Sequence, residues 1–153
     1  MSNKLKERLD KGTVICAEGF LFEIERRGYM RSGEFVPMVS LEHPEALENL
    51  HRDFQHSGSD VVQAFTYNGH REKMRVIGKE ELLEPLNRAA LKIAKKVATN
   101  PLGKEENLMA GNISNSNIWK ENDLKSSFVR VRYLSLSSAS DEFEISSRRN
   151  ISL

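Results

Sequence analysis

Hydrophobic positions along this chain change their period in a repeating order. Residues 13–16 (TVIC) form a β-branched run that stops at the small-residue turn Ala17, Glu18 and Gly19. Residues 20–27 then place Phe20, Leu21 and Ile24 at helical spacing, with Gly28 suited to end the helix. The pattern returns at residues 60–66 (DVVQAFT), a buried-type strand that opens into the polar loop 67–71 and then into helical sequence. A third strand is predicted over residues 108–113, followed by the polar loop 114–117. Strand, helix, strand, helix, strand is the order of right-handed crossovers in a parallel α/β sheet, whose ligands sit at the strand C-termini.

The intervening pattern fills in the helices. Residues 3–10 read as a short amphipathic helix with Leu5 and Leu9 four apart, closed by Gly12 and placed to cover one end of the sheet. Residues 33–41, with Pro37, read as a connecting loop. Pro44 and Glu45 announce a helix striped by Leu47, Leu50 and Phe54 and ended by Gly58. The longest helix is predicted over residues 79–99. Leu82, Leu83, Leu86, Ala90, Ile93, Ala94 and Val97 share one face, and Arg88, Lys92, Lys95 and Lys96 form a solvated one. Beyond residue 125 the sequence becomes serine-rich and loses helical period. Residues 128–136 alternate loosely through Val129, Val131 and Tyr133 as a marginal strand, and disorder is expected from residue 137 onward.

Composition narrows the chemistry. A chain of 153 residues with 39% hydrophobic content builds one domain with an ordinary core, and a net charge of +1 leaves no electrostatic footprint for nucleic acid or an anionic membrane. No run approaches the ~20 apolar residues of a membrane helix, and the charged start lacks a secretory apolar segment, so a cytoplasmic setting is expected. The single cysteine, Cys16, excludes an internal disulfide and any site built from several thiolates; it reads as a small core residue. His43, His51, His56 and His70 lack a short metal-binding spacing and fall at positions that read as solvated. Neither GxGxxG nor GxxxxGKS occurs, so the Glu18 and Gly19 turn is not a phosphate loop. Phe20, Phe22 and Phe65 read as core.

Four blocks, in order, carry a resemblance: TVICAEGFLFEIERRGY, SLEHPEALENLHRDFQHSGSDVVQAFTYNGHREKM, LNRAALKIAKKV and LMAGNISNSN. From Leu5 to about Asp123 the chain resembles the N-terminal part of the homocysteine S-methyltransferases, most closely their betaine-using branch. That resemblance implies a (β/α)8 TIM barrel in which zinc, held by three cysteine thiolates, activates the homocysteine sulfur for methyl transfer that yields methionine. It also implies a substrate-binding set: Glu18, Gly19 and Phe20 after the first strand, and Gln63, Thr66 and Tyr67 after the second. The family's first-loop acid position is filled here by Ala17, with Glu18 one residue later. The family aromatic that lies against a quaternary ammonium maps to Asn68, which weighs against betaine as donor. Asn115 and Asn117 map to the rim.

The zinc cysteines of the family lie in later strands, and Cys16 matches none of them. The expectation is therefore the N-terminal part of a barrel, truncated after about three βα units: residues 1–124 as a partial homocysteine-binding domain and 125–153 as a divergent, irregular tail. Such a chain is expected to hold no zinc and to be inactive in methyl transfer. Alternatively, it is a non-catalytic form that associates with a full-length relative through its open barrel edge, or an unstable fragment.

Overall fold

The computed structural model describes residues 4–31, 38–101 and 106–112. Within them lie helices α1 (Lys4–Leu9), α2 (Phe20–Arg26), α3 (Val39–Glu42) and α4 (Pro44–His56), strand β1 (Val61–Gln63), α5 (Arg71–Val76), α6 (Leu83–Ala98) and strand β2 (Leu108–Ala110). The strands pair in parallel, Val61 with Leu108 and Gln63 with Ala110. This is the α/β arrangement that the alternating pattern predicts, with α6 packed on the sheet in the crossover between the two strands.

The helix boundaries follow local chemistry. Pro44 opens α4, where its missing N–H is one that no helix would satisfy. At the end of α2, Gly28 N–H donates to Glu25 O and Tyr29 N–H to Ile24 O at 3.0 Å, a pattern that caps the orphan carbonyls. The helix predicted over residues 79–99 starts as a 3-10 turn, Glu80–Leu82, and becomes α-helical at Leu83. Leu86, Ala90, Ile93, Ala94 and Val97 are buried, and Arg88, Lys92, Lys95 and Lys96 face solvent as expected. Lys96 nevertheless reaches Glu48 of α4 at 2.7 Å, and Arg52 joins the same carboxylate at 2.8 Å. Both cations hold Glu48 below its ordinary pKa, Lys96 most strongly.

Two clusters form the interior beside the sheet. Val62 of β1 and Ala64 just after it pack with Ala94, Val97 and Ala98 of α6. Phe20, Ile24, Met30, Val39, Leu47, Leu50, Phe65 and Ile93 form the second cluster, where Phe20 stacks on Phe65 with centroids 5.6 Å apart and meets Phe54 edge-on at 5.0 Å.

Several expectations need correction. Residues 13–16 make only one bridge, Cys16 to Val61, because side chains replace part of the ladder: Ile15 N–H donates to Asp60 Oδ2 at 2.8 Å and Ala17 N–H to Ser59 Oγ at 3.1 Å. Residues 39–41, expected as loop, are helical because burying Val39 and Ser40 against α4 and α6 sets the local conformation. His51, expected at a solvated position, is buried, since four residues from Leu47 puts it on the apolar stripe of α4. Phe22, expected in the core, is 77% exposed because it lies off the face that carries Phe20 and Ile24. Residues 32–37 and everything from Ile113 onward, including the third-strand end, Asn115, Asn117 and the serine-rich tail, lie outside the described residues.

Opposite ends of the strands differ in character. At the N-terminal end, Gln55 of α4 donates to Val97 O at 3.0 Å and to Asn107 Oδ1 at 2.8 Å, and Asn107 donates to Ser59 O at 2.7 Å. These amides tie α4, α6 and the entrances of both strands together. A shallow hollow also lies at this end, lined by Lys4, Glu7, Arg8, Lys11 and Glu106. It is remote from the strand C-termini.

Candidate functional site

Cys16, Glu18 and Gln63 meet where the first extended segment and β1 end, and Thr66 lies beyond β1. Alternation along β1 sends Val62 to the helix side and Gln63 to the other face, where Gln63 is buried and its Oε1 accepts from Cys16 Sγ at 3.5 Å. Cys16 is exposed, which corrects the expectation of a core thiol: its segment bridges to Val61 on one side, and no described strand covers the other. Partial desolvation, and secondarily the Glu18 carboxylate, push its thiol above the ordinary cysteine range. A thiol so placed is protonated at neutral pH and is a poor nucleophile.

Gly19, at the start of α2, takes the left-handed conformation at φ +86°, and Glu18 before it is exposed. Phe20 is committed to the core cluster and contributes a wall beneath that turn. Thr66 is buried, and its hydroxyl is shared with the backbone of Asn112, accepting from Asn112 N–H at 2.9 Å and donating to Asn112 O at 2.5 Å. This clasp joins the exits of β1 and β2. Tyr67 is half-buried against the Phe20 cluster, and Asn68 follows in a left-handed conformation, φ 61°. The structure thus gathers Cys16, Glu18 and Gln63 at one strand exit and clasps Thr66 to the next.

Three polar residues that the sequence reading passed over hold the segments around this site. Ser59 and Asp60 hold the first extended segment, and Asn87 of α6 donates to Gly69 O at 2.7 Å and to Leu83 O at 2.8 Å. An amide on the apolar stripe between Leu83 and Ala90 was the available signal.

The family model for homocysteine S-methyltransferases matches residues 12–140. The chain belongs to this family. Among homocysteine S-methyltransferases with curated names, it is similar to the S-methylmethionine–homocysteine enzyme of Pongo abelii, 38% identical over 115 residues covering 74% of this chain and 29% of that relative. It is also similar to betaine–homocysteine S-methyltransferase 1 of Xenopus tropicalis, 37% identical over 115 residues (72% of this chain, 28% of the relative). The enzyme of that name from Bos taurus is 39% identical over 113 residues (71% and 27%). The chain spans about three tenths of the length of these curated relatives.

Zinc bound by three thiolates, which the resemblance implies, does not fit these residues. The chain has one cysteine, and among the described residues no three of His, Cys, Asp and Glu are placed to share an ion. No helix of the described residues is long and apolar enough to cross a membrane.

Proposed function

We propose that this chain supplies the homocysteine-binding part of a methyl-transfer site, built on the first βα units of a (β/α)8 barrel. Family membership and the convergence of Cys16, Glu18 and Gln63 at the exits of parallel strands support the reading, since a barrel's chemistry is hosted at that face. Glu18 offers a carboxylate to an amino group, and Gln63 an amide that Cys16 engages through its thiol. Gly19 sets the aim of Glu18. Phe20 and Tyr67 wall the site, and Thr66 fixes the floor between the two strand exits. The methyl donor is betaine or a related onium compound, and the product is methionine, made in the cytoplasm.

This polypeptide alone is proposed to bind homocysteine without transferring a methyl group, because one cysteine cannot supply a three-thiolate cage. Calorimetric titration with homocysteine, for wild type, Glu18→Gln and Gln63→Ala, tests the binding. Loss of binding in both variants is expected, and a wild-type chain blind to homocysteine refutes the reading. Stoichiometric zinc together with methionine formation refutes the proposed inactivity.

A second reading, a non-catalytic chain that joins a full-length relative, is favoured by the edge segment at Ile15, 53% exposed with one neighbouring strand among the described residues. Co-purification of the two purified proteins with loss of the relative's activity is its expected signature.

A further inference from the structure

Asn87 has no place in the set of substrate residues, yet its environment is specific. It is buried on α6, where asparagine is a mediocre helix former and an apolar residue would serve the stripe better. Its Nδ2 carries two hydrogen bonds, one back to Leu83 O within the helix and one, at 2.7 Å, across to Gly69 O in the loop after β1. Only the second explains why the residue is an amide.

The same loop is held elsewhere. Gly69 N–H donates to Thr66 O at 2.9 Å, and Thr66 is clasped to Asn112. A Cβ on Gly69 would lie 3.1 Å from Asn87 Oδ1, Leu86 Cδ2 and Thr66 O, so loop and helix are in close contact there. Asn68, between the two anchors, sits at φ 61°, a conformation that a free loop would readily leave.

We propose that Asn87 is a positioning residue: its side-chain amide, carried on α6, fixes Gly69 and thereby the backbone of residues 66–69 that presents Tyr67 to homocysteine. The proposal rests on the homocysteine-binding reading above. Asn87 touches no ligand. It removes the ordering cost that a mobile loop would impose on binding.

The test compares wild type, Asn87→Asp, Asn87→Ser and Val97→Ala as full chains. Aspartate keeps the volume but turns acceptors on two carbonyls. Serine retains the bond to Leu83 O within the helix and is too short to reach Gly69, so it serves if the aspartate variant does not fold. Val97 is fully buried on α6 away from the loop and controls for lost stability. Amide exchange at Gly69 is expected to quicken roughly tenfold or more in the Asn87 variants, with homocysteine affinity falling by a similar factor, while Val97→Ala binds within about twofold of wild type. Unchanged Gly69 exchange overturns the clamp. Quickened exchange with unchanged affinity, or equal weakening by Val97→Ala, overturns the positioning role. If wild type binds no homocysteine, the ligand reading fails and Gly69 exchange alone still decides whether the clamp exists.

Discussion

Acidification provides a direct measure of how the core treats His51. The imidazole is buried on α4, its ring 5.0 Å edge-on from Phe20, and its Nε2 has no hydrogen-bond partner among the described residues. Desolvation pushes its pKa down from 6.5 to about 4, and the nearby Glu48 carboxylate only partly opposes this because Lys96 and Arg52 already engage it. The unfolded chain therefore binds a proton near pH 6.5 that the folded chain refuses until about pH 4, so folding weakens as pH falls through that interval. Integrating the difference between pH 7.5 and 4.5 gives a loss of about 2.5 kcal/mol, a large share of the ~5–15 kcal/mol typical of a domain. Urea denaturation at intervals across this range measures it. Glu23 and Glu48 titrate below their ordinary range, so their contribution falls under this window. His51→Leu is expected to remove the slope and to remain folded at pH 7.5. A wild-type midpoint that does not move with pH, or a slope that survives in His51→Leu, would refute the burial argument.

Three further outcomes are expected. Cys16 should react with a disulfide reagent at pH 7 more slowly than free cysteine, and Glu18→Gln should speed it by removing the carboxylate that raises the thiol; a slower variant contradicts that electrostatic coupling. Gly69→Ala should cost about 1–3 kcal/mol in urea denaturation, because the new methyl meets the Thr66 carbonyl at 3.1 Å, and a neutral result would show that the loop can yield. Leu50→Ala, emptying a fully buried position between α4 and its neighbours, should cost about 2–5 kcal/mol by the same measurement, and a loss under ~1 kcal/mol would mean that this cluster is loosely packed.

What could be read in the sequence follows from how far each interaction reaches along the chain. The apolar stripe of residues 82–97, the proline that opens α4 and the glycine that ends α2 are local, and the structure keeps all of them. Parallel pairing of β1 with β2 was legible because alternating strands and helices leave few other connections. The first segment, residues 13–16, was over-read: β-branched residues state a preference, whereas its hydrogen bonds come from Ser59, Asp60 and Val61, some 45 residues later. His51 and Asn87 were missed for a related reason. Each is a polar residue at an apolar helical spacing, and its role depends on partners that periodicity does not reveal. At the candidate site the sequence offered Glu18, Gln63 and Thr66, but not that the Thr66 hydroxyl is spent on Asn112.

The chain of amides from Gln55 through Asn107 to Ser59 sits where the strands begin, whereas Glu18 and Gln63 sit at or beyond strand exits. The two ends are nevertheless joined, because Ser59 Oγ also accepts from Ala17 N–H at 3.1 Å, one residue before Glu18. A substitution that loosens the amide chain is therefore expected to be felt at the turn that carries Glu18 as well as at the strand entrances.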